Sequence, residues 1–273
     1  MIYRSNLTAP DLHSRFLHIN SRPMGHSYGH DVPRDWADKA ADDPVFGLYT
    51  RCGCMTHDEC AIVYNTVRDL TLQLNAPNCA RTRSQFANGV VLDIGSHTLF
   101  TTAFMVQAVW DVLGKGAGYA YTTAIDPMYR VDGFKQRAID NIEAAGLREP
   151  GSMIFLPETS QQYFEAMRRA KMALLGKNVI CIDGAHDAPC PEQDAIGANE
   201  LLDPEGIIIF HDVIGEPVQQ GINSLVALGY SYRIYYTPHV LAVCWRNSFD
   251  FVPPHHVPDP AVAAAVKGRL RLL

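Results

Sequence analysis

Short apolar runs alternate with longer amphipathic stretches from residue 88 onward. The runs GVVLDIG, YAYTTAID, SMIFL, NVICID and GIIIFHD have the length of buried strands. Helix-length stretches separate them, such as FTTAFMVQAVWDVL before Gly114 and SQQYFEAMRRAKMALLG, which ends at Gly176. This alternation predicts a parallel sheet with helices on both faces.

Two further β-rich runs, YSYRIYY and HVLAVCW, flank Thr237 and Pro238. The connection between them is too short for a helical crossover, so we expect an antiparallel pair. The predicted fold class is α/β, a doubly wound and mostly parallel seven-stranded sheet of Rossmann-like type with a C-terminal antiparallel hairpin. We expect an N-terminal arm or lid over residues 1–55, a main domain over residues 56–250 and a C-terminal tail over residues 251–273.

The composition narrows the class of partner. The formal net charge is -6, the isoelectric point is near 6.0, and the basic residues are scattered, whereas nucleic-acid binders usually carry a basic face. The N-terminus lacks the apolar core of a signal peptide, and no apolar run approaches the length of a membrane span. We therefore expect a cytoplasmic protein that binds a small molecule and neither nucleic acid nor membrane. Homo-oligomer formation stays open.

The stretch RCGCMTHDEC allows two interpretations. One is a zinc site made of Cys52, Cys54, His57 and Cys60, although structural zinc usually takes two closely spaced pairs of ligands. The other is a capping box of Thr56 and Glu59 that opens an amphipathic helix, and this is the interpretation we favour. The histidine-rich segment before it has no ligand spacing and is interpreted as a lid or an oligomer contact.

Polar residues collect at the predicted carboxyl ends of the five parallel strands, which is where ligands bind in such sheets. They are Asp93, Gly95 and Ser96 after the first strand, Asp126 after the second, Thr159 and Ser160 after the third, Asp183 and His186 after the fourth, and His211 and Asp212 after the fifth. Any single acid among them is better explained as a helix cap or a solvated loop residue. Together they predict a ligand site.

The loop after the first strand restricts the kind of ligand. A dinucleotide site needs the pattern G-x-G-x-x-G, so that the backbone can approach a pyrophosphate. Here DIGSHTLFTT contains only Gly95, which disfavours a nucleotide-dependent oxidoreductase and keeps that class as an alternative. Asp126, at the end of the second strand, suits a ribose with free hydroxyls.

These motifs resemble those of class I S-adenosylmethionine-dependent methyltransferases. The resemblance rests on strand–Asp-x-Gly–helix, the acid that ends the second strand, LLDPEG before the fifth strand and the terminal hairpin. Within that superfamily, CIDGAHDAP and LLDPEGIIIFHDV are similar to the branch of macrocin- and mycinamicin-type sugar O-methyltransferases and cephalosporin-hydroxylase-like proteins. The resemblance covers about residues 56–246.

The resemblance implies an S-adenosylmethionine-dependent O-methyltransferase that acts on a hydroxyl of a small polar or sugar-like secondary metabolite. It implies roles for seven cofactor-binding residues. Asp93, Gly95 and Ser96 would line the methionine end, Asp126 would bind the ribose, Thr159 and Ser160 would lie near the adenine, and Asp183 would point over the methyl group. A methyltransferase-like binding protein without turnover is the second alternative.

The resemblance also implies a base and a metal. Asp183 and Asp212 match the positions of two magnesium-binding acids, and His186 matches the general base of the sugar methyltransferases. His211 stands where an acid commonly precedes the second of these aspartates, and magnesium prefers oxygen ligands. A metal held by Asp183, His211 and Asp212 would therefore be Mg, Mn, Fe or Zn, and the nitrogen ligand favours the last three. The alternative is that the site has lost its metal.

Overall fold

The computed structural model of the chain has a seven-stranded sheet at its centre. It describes residues 55, 57–76, 91–114, 122–144, 147, 153–170 and 176–272. The strands are β1 Val91–Ile94, β2 Thr122–Ile125, β3 Met153–Leu156, β4 Lys177–Ile182, β5 Leu202–Phe210, β6 Tyr230–Tyr235 and β7 Leu241–Arg246. The helices are α1 His57–Leu74, α2 Phe100–Leu113, α3 Phe134–Ala144, α4 Ser160–Arg169, α5 Cys190–Leu201, α6 Glu216–Ala227 and α7 Pro260–Lys267, with a 3-10 helix at Pro127–Arg130.

The strand order is β3-β2-β1-β4-β5-β7-β6, and this confirms the predicted doubly wound sheet. Strands β1 to β5 run parallel, whereas β7 runs antiparallel to both β5 and β6. The predicted C-terminal hairpin is therefore present. The order of strands reverses between β1 and β4, so a crevice opens outside their carboxyl ends, where such sheets bind ligands.

Alternate residues of the central strands face opposite sides of the sheet, because successive side chains of a strand point in opposite directions. In β4, Val179 and Cys181 belong to the core beneath α1, α2 and α3, while Ile180 and Ile182 belong to the core beneath α4, α5 and α6. All four are buried. Continuous apolar runs such as NVICI are typical of parallel strands covered on both faces.

Three segments either differ from the prediction or extend beyond the residues that the structure describes. Strand β5 begins at Leu202, so LDPEG is part of the strand rather than a segment before it, while Leu201 ends α5. The pairing of β5 with β4 shifts register between Lys177 and Val179. The helix predicted to end at Gly176 is described only as far as Arg169. Residues 1–54 of the predicted arm, including Cys52 and Cys54 of the alternative zinc site, lie outside the described residues.

The segment after residue 250 carries a helix of its own, α7. Val266 of this helix is buried in the core beneath α5 and α6. Beyond the helix, the side chain of Gln219 in α6 donates to Arg269 O and accepts from Arg271 N. The C-terminal segment therefore packs against the sheet through α7 and hydrogen-bonds to helix α6. Among the described helices, none is long and apolar enough to cross a membrane.

Candidate active site

Gly95 brings the loop after β1 against the chain that leaves β4. Its φ is +77°, a left-handed conformation that glycine adopts without strain. A Cβ at this position would lie 2.2 Å from Asp183 O and 2.6 Å from the Cα of Gly184, so a side chain has no room. The close approach places the predicted cofactor loop next to Asp183.

Asp93 lies inside β1 and contacts helix α2. It is fully buried, and its carboxylate accepts a hydrogen bond from the Thr102 hydroxyl of α2. Burial raises the pKa of Asp93 to about 7, and the neighbouring carboxylate of Asp183 adds to the rise. In this conformation Asp93 joins β1 to α2, and its predicted contact with the cofactor stays a prediction.

Asp126 ties the loop after β1 to the loop after β2. Its two carboxylate oxygens each accept one backbone N–H, from His97 and from Met128, at 2.8 Å. The hydroxyl of Ser96 lies 2.8 Å from the hydroxyl of Tyr129, which crosses between the same two loops. Both Ser96 and Asp126 are nearly buried, at 4% and 7% exposure. The two predicted cofactor residues therefore stand side by side on the same part of the crevice.

Thr159 and Ser160 begin α4. The Thr159 hydroxyl accepts from Gln162 N, and the Gln162 side chain accepts from Thr159 N, so the pair forms a capping box. Ser160 is buried and hydrogen-bonds to Asp194 of α5, which also accepts from Gln161. These side chains shape the start of the helix, and their predicted contact with an adenine stays a prediction.

His186 stands between two acids at the ends of β4 and β5. Its Nε2 lies 3.6 Å from Asp183 Oδ1 and 3.5 Å from Asp212 Oδ2, and its side chain is 43% exposed. The Asp183 carboxylate raises the pKa of His186. Asp212 has a φ of 54°, a conformation that aspartate tolerates better than most residues. The structure thus brings together the predicted base and the two predicted acids.

His211 is turned toward the same acids but lies deeper. Its side chain is 3% exposed, and its Nδ1 lies 3.0 Å from Asp183 Oδ1 and 3.3 Å from Asp212 Oδ2. Burial lowers the pKa of His211, but the surrounding carboxylates, with the charge of Asp183 first among them, together outweigh it and raise the pKa well above its usual range. Burial raises the pKa of Asp183, but His211 and His186 lower it overall, to about 2.

Two residues that the sequence analysis did not assign to the site complete this polar cluster. Glu59 of α1 is fully buried, with Oε2 3.6 Å from His211 Nε2 and 3.1 Å from His239 Nδ1. Burial opposes ionisation of Glu59, yet the two imidazoles lower its pKa, and Glu59 raises the pKa of His239. The sequence analysis assigns Glu59 to a capping box with Thr56, which lies outside the described residues. The signal for a different role was that Glu59 is an acid on the apolar face of a helix.

Two sets of side chains could each hold a metal ion among the described residues. The first is Asp183, His186 and Asp212, and the second is Glu59, His211 and His239. In each set the three ligand atoms lie within 4.8 Å of one another. Of the predicted ligands, Asp183 and Asp212 fall in the first set and His211 in the second.

Residues 92–213 match a protein family described as a methyltransferase domain. The match begins in β1 and ends just after Asp212, so it spans every residue predicted for the site. Glu59 and His239 lie outside it. No curated protein shows a significant sequence match.

Solved structures with low sequence identity are similar to the chain. An O-methyltransferase from Bacillus cereus in complex with SAH is 13% identical, with a TM-score of 0.48, and the alignment covers 77% of this chain and 88% of that one. The O-methyltransferase TomG from Streptomyces achromogenes, in complex with SAM, is 12% identical with a TM-score of 0.44, over 67% and 89% of the two chains. An rRNA methylase from Streptococcus thermophilus is 9% identical with a TM-score of 0.44, over 71% and 99%. Identities this low assign no acceptor to this chain.

The family match agrees with the motifs quoted from the sequence and with the doubly wound sheet that carries them. The predicted enzyme class, a methyltransferase, is thereby confirmed. The similarity to the family described as a methyltransferase domain extends over residues 92–213 of this chain.

Proposed function

We propose that the chain is an S-adenosylmethionine-dependent O-methyltransferase that acts on a hydroxyl of a small polar or sugar-like secondary metabolite. The observation that carries this proposal is the position of His186 between Asp183 and Asp212, with the backbone of Asp183 packed against Gly95. A base and a cofactor loop at adjoining strand ends are what methyl transfer to an alcohol needs, because the alcohol is a poor nucleophile until its proton is removed. The similarity to the macrocin- and mycinamicin-type branch is the reason for proposing a sugar-like acceptor.

Residues of the first two loops fit the proposed cofactor. When bound, S-adenosylmethionine supplies an electrophilic methyl group on a sulfonium. The Asp126 carboxylate accepts two backbone hydrogen bonds, and a carboxylate has about four lone-pair sites, so it can also accept from ribose hydroxyls. His97 Nδ1 is buried and makes no hydrogen bond to any described residue, which leaves a polar atom available in the same loop.

His186 acts as the base in this proposal. We assign its proton to Nε2, which faces the two acids, so that Nδ1 carries the free lone pair. Nδ1 would accept the proton of the acceptor hydroxyl, which makes the hydroxyl oxygen the nucleophile. The bound cofactor would supply the methyl group with cleavage of its S–CH3 bond and would leave as S-adenosylhomocysteine. Asp183 and Asp212 stabilise the resulting imidazolium by their charges, and an exposed fraction of 43% lets an acceptor reach the ring. Much of the remaining rate gain comes from holding the oxygen close to the methyl group.

A metal-assisted form of the same reaction is the alternative. Asp183, His186 and Asp212 offer two carboxylates and one imidazole, a donor set that fits Mn, Fe or Zn better than Mg. An ion there would lower the pKa of the acceptor hydroxyl. In this alternative His186 would be a ligand, and the predicted ligand His211 would hydrogen-bond to the two acids through Nδ1.

The test is release of S-adenosylhomocysteine with a panel of hydroxylated small polar acceptors. His186→Ala should lower turnover about 10²–10⁴-fold, the usual contribution of a positioned base, while the affinity for S-adenosylmethionine stays unchanged. The exposed His255→Ala is the matched control and should behave like the wild type. Wild-type turnover in His186→Ala would remove the base from the proposal.

Two further results separate the alternatives. Full turnover after exhaustive chelation would exclude the metal-assisted form and leave His186 as the base. Binding of S-adenosylmethionine without transfer to any acceptor of the panel would favour a methyltransferase-like binding protein. We also propose a cytoplasmic location, and the arm over residues 1–55 stays predicted as a lid or an oligomer contact.

A further inference from the structure

Glu59, His211 and His239 converge from three separate parts of the fold. Glu59 lies on α1, His211 follows β5, and His239 lies between β6 and β7. Glu59 Oε2 is 3.6 Å from His211 Nε2 and 3.1 Å from His239 Nδ1. Ligands of a tetrahedral zinc ion, each about 2.0–2.1 Å from the metal, lie about 3.3–3.4 Å from one another. The two distances from Glu59 bracket that spacing, and all three ligand atoms lie within 4.8 Å of one another.

The His211 ring has the orientation of a metal ligand. Its Nε2 is buried and makes no hydrogen bond to any described residue, because 3.6 Å to the Glu59 carboxylate is too long for one. Its Nδ1 lies 3.0 Å from Asp183 Oδ1, within hydrogen-bonding distance. Metal-bound histidines almost always donate their second ring N–H to a carboxylate or carbonyl, which fixes the tautomer that leaves the other nitrogen free. Asp183 can do this for His211.

Glu59 is oriented in a similar way. Its Oε1 accepts a hydrogen bond from the backbone N–H of His239 at 3.0 Å, so Oε2 is the oxygen left facing the two imidazoles. The rings of His211 and His239 lie 5.2 Å apart between centroids, at an angle of 56°. Glu59 is fully buried, whereas the His239 side chain is 43% exposed, so an ion can reach the cluster from the side of His239.

We propose that Glu59, His211 and His239 bind one divalent transition-metal ion of the zinc class. Two imidazoles and one carboxylate suit zinc and its neighbours rather than magnesium or calcium, which prefer oxygen ligands. Such an ion would join α1 to the carboxyl ends of β5 and the hairpin, and it would fix the His211 ring against Asp183. The inference does not rest on methyl transfer, since it concerns metal binding alone.

The other candidate set differs in a way that can be measured. Asp183, His186 and Asp212 contain one imidazole, whereas the proposed site contains two, and the sets share no residue. His186 does not belong to the proposed site, so its removal separates the two sets. The cysteine-containing stretch near residue 52 would add sulfur ligands, which neither set contains.

The first experiment measures metal content after the purified full-length chain is incubated with Zn²⁺ and desalted. We expect one zinc per chain in the wild type, in His186→Ala and in the surface control His255→Ala. His239→Gln should lose its zinc on desalting, because loss of even a ligand's hydrogen-bonding partner weakens metal binding about 10–100-fold. A wild-type chain without zinc would overturn the proposal, as would loss of zinc in His186→Ala with retention in His239→Gln.

The second experiment needs no variant and decides the matter if His239→Gln fails to fold. X-ray absorption at the zinc edge of the wild-type complex counts imidazole ligands from their outer-shell scattering. We expect two imidazoles and only oxygen or nitrogen in the first shell. One imidazole would place the ion at Asp183, His186 and Asp212, and sulfur scattering would place it among the cysteines. Either result would overturn the proposed site.

Discussion

The His211 ring has acids on both sides, Asp183 at Nδ1 and Glu59 beyond Nε2. An isolated buried charge would be costly. The two carboxylates stabilise a protonated imidazole between them, and the positive charge of the imidazole stabilises both carboxylates. The single cluster therefore couples α1 to the strand ends that carry the proposed base. At the scale of single residues, attraction between these opposite charges is what allows the buried acids and histidines to lie together.

Asp194 of α5 provides a residue-scale prediction away from that cluster. Burial raises its pKa to about 6, against a usual value of 3.8, although the bond from Ser160 opposes the rise. Between these pH values the unfolded chain releases a proton that the folded chain keeps, so stability falls as pH rises through the window. Because one pKa unit corresponds to about 1.4 kcal/mol, the expected fall is about 3 kcal/mol.

Asp194→Asn removes this titration. The free energy of unfolding of the variant, relative to that of the wild type, should therefore rise by about 2.4 kcal/mol between pH 4 and pH 7, which is most of the full change. Denaturant unfolding at a series of pH values measures the difference. Asp140→Asn, at an exposed position, is the control and should follow the wild type. A constant difference between Asp194→Asn and wild type across the window would contradict the prediction.

Helices α4 and α5 meet at Gly197, where the packing leaves no room for a side chain. A Cβ there would lie 2.4 Å from Cδ2 of the Phe164 ring, which is itself buried at 2% exposure. Alanine usually stabilises a helix interior by about 0.5–1 kcal/mol relative to glycine, but overpacking a core costs about 1–3 kcal/mol. At the scale of elements, the cost of overpacking the contact between α4 and α5 therefore exceeds the gain in helix propensity that alanine would bring at position 197.

Gly197→Ala should therefore lower the free energy of unfolding, by up to about 2 kcal/mol, since the packing cost exceeds the propensity gain. Gly268→Ala is the matched control, because its φ is ordinary and a Cβ there would meet nothing within 4 Å. That change should leave stability unaltered or raise it slightly. Chemical denaturation of both variants compares them, and a stabilised Gly197→Ala would show that the helices have room to separate.

The sequence predicts elements well where its signal is local. The run NVICI and the stretch FTTAFMVQAVWDVL carry their periods and boundaries within themselves, and both elements form at the expected residues. Asp183, His186 and Asp212 could be brought together because the ends of adjacent parallel strands meet at one edge. Glu59 and His239 could not, since their approach depends on how α1 and the hairpin pack, which no local pattern specifies.

The whole molecule is organised by the switch point between β1 and β4. The Gly95 loop, the Asp126 loop and the Asp183 turn all leave the same edge of the sheet, and the family match covers this half of the fold. At the same edge, Glu59 of α1 and His239 of the hairpin contact each other, and Glu59 also lies beside His211. The residues that match the methyltransferase-domain family thus share the polar cluster with segments outside the match.

The central claim at this scale is that the edge binds S-adenosylmethionine, and calorimetry measures it without knowledge of the acceptor. The full-length chain should bind one S-adenosylmethionine or S-adenosylhomocysteine per chain. Asp126→Ala should weaken that binding about 10- to 150-fold, which corresponds to the roughly 1.5–3 kcal/mol of hydrogen bonds to a charged group. The exposed Asp132→Ala should bind like the wild type. Unchanged affinity in Asp126→Ala would remove that residue from the site, and a wild-type chain that binds neither compound would contradict the claim itself.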